Sequence, residues 1–458
     1  KGLASCGSGV WGYDSEFVKS DDREGGARGQ GEISEGPLSN FSLAEWTRRF
    51  TAGGPFANKQ GDEERLAFMQ AKVAIDLSVV DQFDVPFPAW SWTKSSDTVA
   101  FLFMTMEGLD FEDIWDSFFK DAESGKYSIY IHQAGKKQSD GQLRGSEKPL
   151  PLERWGAVGI PQVETSWCAL LGVEVALLHA GLQDSRNVQF VFVSHSTVPL
   201  KPFSYVHRQL VDISPGTSKF CFAEPAQYRL SATETVRNEL RRRCIFRDFY
   251  RALNPRVLKH HQWAVLSREH SQAVIRRARE GLAIWRETWE AAAPDVAGMG
   301  EGCSDEAVPA TALLHDLQAS GRSTGNTWAD LSRLGVEQQC LTWVLWRHCY
   351  GGTELEVREP IAKELKKLVE HGDIRMLTDK EFNFYKSNLK RELNGYPAVL
   401  DTVGLQYLHK LVHSGFMFAR KFTPGLAVET PRGNIAFEAV LPELWESVNE
   451  ERSSQQVW

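Results

Sequence analysis

The first half of the chain alternates short apolar runs with stretches whose apolar residues recur at helical spacing. Apolar runs at residues 99–105, 127–132 and 189–194 predict buried strands, because a strand covered on both faces has no polar face to show. Apolar residues three and four apart predict helices at 110–120 and 160–182. This alternation predicts an α/β fold with a doubly wound, mostly parallel sheet flanked by helices.

The same criteria predict further elements along the rest of the chain. Apolar positions in residues 66–80 predict a short helix before the first strand, and residues 268–293 predict a long helix. Further strands are predicted at 219–222, 262–267 and 341–346, and further helices at 359–371, 378–394 and 402–413.

Composition divides the chain into three parts. Residues 1–40 are rich in Gly, Ser, Asp and Glu, which is typical of a stem or of a tail that wraps the surface, and a Pro-rich link at 85–90 marks a boundary. We predict an N-terminal stem or wrapping segment with a short helix at 1–97, the main α/β domain at 98–425 and a C-terminal extension at 426–458.

The carboxyl ends of the first three strands carry polar side chains. They are Thr105, His132 and the group Ser194, His195 and Ser196. Ligands of open parallel sheets bind beyond the carboxyl ends of the strands, so these residues are candidates for a binding site.

A pair of carboxylates at residues 305 and 306 stands between a stretch rich in Ala and Gly and an apolar helical pattern. Ser304 or Asp305 is a suitable N-cap for that helix, since both side chains carry an acceptor oxygen. One interpretation is that the carboxylates only favour the positive end of the helix. The other is that Glu306 does chemistry and Asp305 keeps the capping role.

Composition and charge limit the classes of function. The chain has 458 residues, 42% of them hydrophobic, so it can bury a large core. A net charge of −8 argues against a general nucleic-acid binder. The 15 Trp and 25 Phe residues suit a deep core or a surface that stacks on carbohydrate. The sequence has no apolar run long enough to span a membrane.

The chain has 7 cysteines without the spacing of a zinc site, so we predict no structural metal. Cys340 and Cys349 are close enough in sequence to form a disulfide where the geometry allows it. Asn40 lies in a glycosylation sequon, which matters only in a secretory protein.

Several common catalytic motifs are missing from the sequence. It has no phosphate-binding glycine motif, no nucleophile elbow, and no Asp-x-Asp after the third strand to hold a cation. A diphosphate bound here would have to be neutralised by Lys and Arg. Arg420 and Lys421 are available, although neighbours in a strand point to opposite sides, so only one of them can face a common ligand. The alternative is that Arg420 and Lys421 are two surface cations without a ligand.

The Arg-rich helical pattern at 237–251 is either a solvated face or a contact for an acidic partner.

Short blocks in a fixed order resemble the core-2/I-branching β-1,6-N-acetylglucosaminyltransferase family, and most closely its plant-type, DUF266-like branch. The resemblance covers about residues 98–425, and its strongest blocks are the Asp-Glu pair and Ala-Arg-Lys-Phe. The blocks are Val99-Ala-Phe-Leu-Phe-Met-Thr105, Tyr127-Ser-Ile-Tyr-Ile-His132, Arg154-Trp-Gly156, Phe192-Val-Ser-His-Ser-Thr-Val-Pro-Leu200, Gln262-Trp-Ala-Val-Leu-Ser-Arg-Glu269, Ser304-Asp-Glu306 and Phe418-Ala-Arg-Lys-Phe422.

The resemblance implies a GT-A type glycosyltransferase fold and an inverting transfer that needs no metal or other cofactor. It implies that Glu306 is the catalytic base and that Lys421, with Arg420, neutralises the diphosphate of the donor. A further cation is expected from Arg358, with Arg347 as the alternative. The nucleotide or substrate pocket is expected to include Thr105, His132, Trp155, Ser194, His195, Ser196, Trp263 and Asp305.

The chain departs from the family pattern at two strand ends. His195 stands where plant relatives tend to have Glu, and His132 is followed by Gln-Ala where the animal enzymes carry an Asp for the nucleoside. These positions bear on the identity of the donor.

Two functional hypotheses follow. The first is a glycosyltransferase of the Golgi lumen that moves a sugar from a nucleotide sugar, most simply a UDP-sugar, to a glycan or glycoprotein, with any membrane anchor upstream of residue 1. Paired cysteines are expected in that compartment. The second is a scaffold or binding subunit of a larger assembly that keeps the fold but has lost the donor site.

Overall fold

The computed structural model describes residues 59–83, 97–106, 108–120, 122–134, 136–137, 143–144, 150–222, 257–292, 303–344 and 399–455. All of them belong to one compact unit of the chain. The predicted helices at 359–371 and 378–394 and the Arg-rich pattern at 237–251 lie outside the described residues.

Helices and strands are numbered here in chain order over the described residues. The strands are β1 (Thr98–Thr105), β2 (Tyr127–Gln133), β3 (Lys136–Lys137), β4 (Leu143–Arg144), β5 (Val158–Gly159), β6 (Asn187–Ser194), β7 (Val198–Pro199), β8 (Ser218–Phe220), β9 (Val265–Ser267), β10 (Val336–Gln338), β11 (Thr342–Val344), β12 (Leu400–Gly404), β13 (Phe418–Arg420), β14 (Phe422–Thr430) and β15 (Gly433–Ala436). The helices are α1 (Lys59–Val80), α2 (Glu112–Lys120), α3 (Leu152–Trp155), α4 (Leu171–Leu182), α5 (Phe203–His207), α6 (Arg268–Ala292), α7 (Val308–Ala319), α8 (Thr327–Leu334), α9 (Leu405–Val412) and α10 (Phe437–Gln455).

A central sheet carries the fold, with strand order β10-β8-β9-β6-β1-β2-β5. Strand β1 runs parallel to β2 and β6, while β9 is antiparallel to β6 and β8. The predicted mostly parallel sheet flanked by helices is confirmed, and it is consistent with a GT-A-like glycosyltransferase fold. Met104 is in register with His132 on one side and with Ser194 on the other, so the carboxyl ends of these three strands lie level.

Side chains cover both faces of β1, as its continuous apolar run predicts. On one face, Phe101 and Phe103 make edge-to-face ring contacts with Trp115 of α2. On the other face, Leu102 lies in the core cluster that includes Leu178 of α4. Every residue of β1 is buried, and the strand therefore fixes the position of the polar residues at its carboxyl end.

Helices α1 and α4 pack with almost no space between them. A Cβ at Gly172 would lie 2.8 Å from the Cβ of Val79, so only glycine allows this approach. The same Gly172 N–H donates a hydrogen bond to Asp76 Oδ1 at 3.0 Å. The close contact brings the carboxylate of Asp76 into the interior beside α4.

The helix predicted at 160–182 is wrong in its first half, because α4 begins at Leu171. Residues 160–170 form a loop fastened by distant partners. Its Val163 N–H donates to His132 Nε2 at 3.1 Å, and Cys168, with a left-handed φ of 65°, forms a disulfide with Cys303. Helical spacing of apolar residues could not reveal these long-range constraints.

The turn at residues 304–306 also differs from its prediction. Ser304–Glu306 form a 3₁₀ turn, and α7 follows with Ala307 as N-cap, so neither Ser304 nor Asp305 caps it. The Ser304 hydroxyl instead donates to Asp76 Oδ2 at 2.5 Å. A buried carboxylate of α1 thus fixes the orientation of this hydroxyl, a contact that the local sequence does not indicate.

The C-terminal part of the described chain contributes a second sheet with order β11-β13-β7. Strand β13 runs parallel to β11 and antiparallel to β7, which follows β6 in sequence. This sheet brings Arg420, the last residue of β13, towards the carboxyl end of β6. The helix predicted at 402–413 is divided into β12 and α9.

Two disulfides are present, Cys168–Cys303 and Cys221–Cys340. The disulfide between Cys340 and Cys349 that their spacing allows does not form, because Cys340 is bonded to Cys221 with a Cα–Cα distance of 4.4 Å. Within the described ranges, no helix combines the length and the apolar composition needed to cross a bilayer.

Candidate active site

Hydrogen bonds connect the polar groups at the carboxyl ends of β1, β2 and β6. The Thr105 hydroxyl donates to the carbonyl of His132 at 3.3 Å, and the His195 N–H donates to the Met104 carbonyl at 3.2 Å. The Ser194 hydroxyl lies 2.8 Å from that of Thr197. Ser194 Oγ also lies 3.4 Å from Ser196 Oγ. These contacts hold the three strand ends as one rigid edge.

The two histidines of this edge are neutral at physiological pH. Burial lowers the pKa of His132 to about 4, and its Nε2 accepts the Val163 N–H, so the proton resides on Nδ1. Burial, followed by the positive charges of Arg420 and Lys421, also lowers the pKa of His195 to about 4. The His195 Nε2 lies 3.9 Å from Asp110 Oδ2.

Arg420 and Lys421 both act on His195, although alternation along a strand predicts that they point apart. Strand β13 ends at Arg420 and β14 begins at Phe422, so the alternation rule does not extend across this pair. The Arg420 guanidinium stacks on Trp263, 4.1 Å from the ring centroid. Burial lowers the pKa of Arg420 to about 9 and the negative charge of Glu306 opposes that shift, so Arg420 stays protonated at neutral pH.

Glu306 is held by the segment before β9. Its Oε2 accepts a hydrogen bond from Lys259 Nζ at 2.5 Å, and its carbonyl accepts the His260 N–H at 2.7 Å. The Glu306 side chain is 18% exposed and that of Lys259 is 21% exposed. A partly buried carboxylate thus keeps contact with solvent beside two cations, Lys259 and Arg420.

Three buried acids lie behind Glu306. Burial, with the charges of Glu306 and Asp76, raises the pKa of Asp305 to about 8. Burial raises the pKa of Asp76 to about 6, and burial raises that of Glu174 well above its usual range. Asp305 is therefore mainly protonated at neutral pH, which removes negative charge from behind Glu306.

The remaining predicted site residues are distributed as follows. Trp155 lies in the aromatic cluster with Phe103 and Phe119, and its indole N–H donates to Asp116 Oδ1 at 2.5 Å. Arg358 and its alternative Arg347 lie outside the described residues. The roles assigned to all these residues stay predictions.

Sequence reasoning missed Lys259, Asp76 and Glu174. Glu174 has a visible signal, since it is a carboxylate within the apolar stretch Leu171–Leu182. Asp76 also interrupts an apolar helical pattern. Lys259 has no local signal, because a lysine before two histidines is typical of any polar loop.

The arrangement joins a proton acceptor to cations at one edge of the sheet. The carboxylate of Glu306 is suited to remove a proton, and Arg420 and Lys421 are suited to stabilise a developing anion. Among the described residues, no three His, Cys, Asp or Glu side chains are grouped so as to hold a metal ion.

The strand ends and Glu306 lie in a part of the chain that is similar to a known protein family. The profile of the Core-2/I-Branching enzyme family matches residues 99–358, which is more than half of the chain. The protein belongs to the core-2/I-branching enzyme family. The matched part of this family member contains β1, β2, β6 and the Glu306 turn. The resemblance predicted from the short sequence blocks is thereby confirmed.

A curated relative supports the plant-type assignment. The chain is 26% identical over 251 residues to Glycosyltransferase BC10 of Oryza sativa subsp. japonica. The match covers 51% of this chain and 58% of the relative, so less than two thirds of that protein is represented.

Proposed function

We propose that the protein is a metal-independent, inverting glycosyltransferase that moves a sugar from a nucleotide sugar, a UDP-sugar, to a hydroxyl of a glycan or glycoprotein. The observation that carries this proposal is that one segment, residues 259–263, contacts both Glu306 and Arg420 at the edge where the parallel strands end. Lys259 Nζ lies 2.5 Å from Glu306 Oε2, and the Trp263 ring lies 4.1 Å from the Arg420 guanidinium. A base and diphosphate-binding cations must be neighbours for this reaction, and membership of the core-2/I-branching family agrees with it.

Glu306 acts as general base in this proposal. Its carboxylate takes the proton of the acceptor hydroxyl while the acceptor oxygen forms a bond to the anomeric carbon of the donor. The bond from that carbon to the diphosphate breaks, and its electron pair leaves on the phosphate oxygen. A single displacement of this kind inverts the anomeric centre.

Arg420 and Lys421 stabilise the leaving diphosphate. The negative charge on its bridging oxygen grows as the bond breaks, and fixed cations lower the free energy of that state most. The restraint of Arg420 by Trp263 supports this role, because a stacked guanidinium does not need to reorganise. Arg358, or Arg347 in its place, supplies a further cation by analogy with the family.

The nucleoside and sugar occupy the strand ends in this proposal. Thr105, Ser194, Ser196 and the neutral His132 and His195 offer hydrogen bonds without net charge. Plant relatives tend to have Glu at the position of His195. A neutral imidazole can donate one hydrogen bond and accept another, whereas a carboxylate only accepts, so the two side chains would select different hydroxyl arrangements on the sugar of the donor. The identity of the sugar therefore depends on this position.

The lumen of the secretory pathway, specifically the Golgi, is the proposed location. Two disulfides support it, since such bonds persist in oxidising compartments. An anchor upstream of residue 1 and membership of a larger assembly stay predictions.

Calorimetric titration with UDP and UDP-sugars in EDTA tests the proposal. We expect binding without metal, its loss in Lys421→Ala, and its retention in the control Lys120→Ala, which alters an exposed lysine of α2. Glu306→Gln should keep UDP binding and abolish transfer, because the amide has the shape of the acid but cannot accept the proton.

Each part of the proposal has its own contrary result. Normal turnover by Glu306→Gln would show that another group is the base. Binding that requires a divalent cation would refute metal independence. Absence of binding to any nucleotide sugar would favour the alternative of a scaffold subunit with a degraded donor site.

A further inference from the structure

Trp167 is a large aromatic side chain that remains 56% exposed. It lies in the loop 160–170, which replaces the first half of the predicted helix. Most Trp residues bury their rings, because indole carries a large apolar surface. An indole held open to solvent at a fixed place is a candidate contact for a ligand.

The loop connects the strand ends to the Glu306 turn. At its start, the Ile160 N–H donates to the Ile131 carbonyl of β2 at 3.0 Å, and Val163 bonds to His132. At its end, Cys168 is joined to Cys303 with a Cα–Cα distance of 4.1 Å. Trp167 therefore lies between the carboxyl end of β2 and the turn that holds Glu306.

Helix α1 contacts both Trp167 and the turn that contains Glu306. Lys72 Nζ lies over the Trp167 ring, 4.9 Å from its centroid, and Asp76 accepts the Ser304 hydroxyl. Lys72 and Asp76 are four residues apart, which is about one helical turn or ~6 Å along the axis. Trp167 and Ser304 therefore contact α1 at positions one helical turn apart, and Ser304 is two residues before Glu306.

The surroundings of Trp167 favour a ligand with both apolar and polar faces. One face of the ring meets the buried Lys72, which restrains its orientation. The preceding residues Glu164, Thr165 and Ser166 are polar and half-buried. A flat apolar platform beside hydrogen-bonding groups matches a pyranose, whose C–H face is apolar and whose rim carries hydroxyls.

We propose that Trp167 is the platform of an acceptor subsite, on which a pyranose ring of the acceptor glycan stacks while its hydroxyl or that of a neighbouring sugar reaches Glu306. This inference rests on the proposed function and adds the class of acceptor and the residue that recognises it. The Cys168–Cys303 disulfide sets the distance between the platform and the base.

Binding is tested by ¹⁹F NMR on the whole protein labelled with 5-fluorotryptophan. The Trp167 signal is assigned by its disappearance in Trp167→Phe, and the probes are the methyl β-pyranosides of glucose, galactose, xylose and N-acetylglucosamine. We expect a saturable shift of the Trp167 signal with at least one probe. Trp328, which is 47% exposed on α8, is the matched control and should not shift.

The kinetic test uses the probe that shifts the signal as acceptor. Trp167→Ala should raise the KM for that acceptor about tenfold. The kcat and the affinity for UDP should stay within about twofold, since stacking on the acceptor contributes to binding more than to chemistry. Trp167→Phe should recover part of the loss, and Trp328→Ala should have no effect on KM.

The possible failures are distinguishable. A Trp167 signal that no probe moves, in protein that binds UDP, would overturn the subsite and leave the proposed function intact. An unchanged acceptor KM in Trp167→Ala would do the same. Shifts with a pyranoside but no binding of any nucleotide sugar would support the subsite and count against transfer.

Discussion

Lys259 and Glu306 form an ion pair in which both side chains are mostly buried. We expect Lys259→Met to lower transfer about 10- to 100-fold, because hydrogen bonds to charged groups contribute ~1.5–3 kcal/mol and the carboxylate loses its fixed orientation. The affinity for UDP should change less than about twofold. Turnover numbers and calorimetry measure the two effects.

A conservative variant separates positioning from folding. Lys259→Arg keeps the charge and should restore part of the turnover lost in Lys259→Met, while both variants unfold at similar temperatures. Equal turnover of Lys259→Met and the unchanged protein would show that the pair does not orient Glu306.

Asp305 links stability to pH at the same turn. Burial raises its pKa from the ordinary aspartate value of 3.8 to about 8, so between these pH values the folded protein holds a proton that the unfolded chain has released. Stability due to this group therefore falls as pH rises through that window. Asp305→Asn, which is neutral at every pH, should gain stability relative to the unchanged protein, on the order of 4 kcal/mol, between pH 5 and pH 8.

Urea unfolding at both pH values measures this gain. Asp401→Asn, which alters an exposed carboxylate, is the control and should show the same difference in unfolding free energy at both values. A constant difference for Asp305→Asn as well would mean that Asp305 is ionised in the folded state.

At the scale of single residues, sequence patterns located titratable side chains better than the groups that these side chains contact. Glu306, Arg420 and His195 were singled out by position, and electrostatic contacts join them. Lys259 was missed because its ion pair spans 47 residues of sequence. An ion pair between residues so far apart in the sequence does not change the periodic pattern of apolar and polar residues.

At the scale of elements, the disulfide Cys168–Cys303 joins a loop to the Glu306 turn. It closes a sequence separation of 135 residues, and Cys221–Cys340 closes one of 119. In the chain-entropy description these separations differ in effect by only ~0.1 kcal/mol. The second disulfide is therefore a matched control for the first.

We expect replacement of either cysteine pair by serine to lower the free energy of unfolding by about 2–4 kcal/mol. Only Cys168→Ser with Cys303→Ser should also reduce transfer, since that pair fixes the turn that carries Glu306, the proposed base. Denaturation curves and initial rates on both double variants provide the comparison. Equal loss of transfer in both would show that stability alone is responsible.

Strands were predicted more reliably than helix starts for a physical reason. The apolar runs that became β1, β2 and β6 are buried on both faces, so their pattern is independent of which partner covers them. The loop at 160–170 has helical spacing but is held by His132 and Cys303. Bonds to distant residues override local preference there.

At the scale of the whole molecule, the disulfides bear on compartment. A non-reducing peptide digest of protein taken from the secretory pathway should contain Cys168 linked to Cys303 and Cys221 linked to Cys340. A reducing compartment keeps such thiols free. Alkylation of all four cysteines without prior reduction would contradict both the pairing and the lumenal location.

The place of β13 between β7 and β11 has a consequence for biosynthesis. Strand β7 (Val198–Pro199) is translated more than 200 residues before its antiparallel neighbour β13 (Phe418–Arg420). A nascent chain that stops before this point contains Glu306 and the strands of the central sheet but lacks Arg420 and Lys421. The proposed diphosphate site is therefore completed only after residue 421 has been translated, and premature stop codons between residues 345 and 418 should yield chains that retain the proposed base without it.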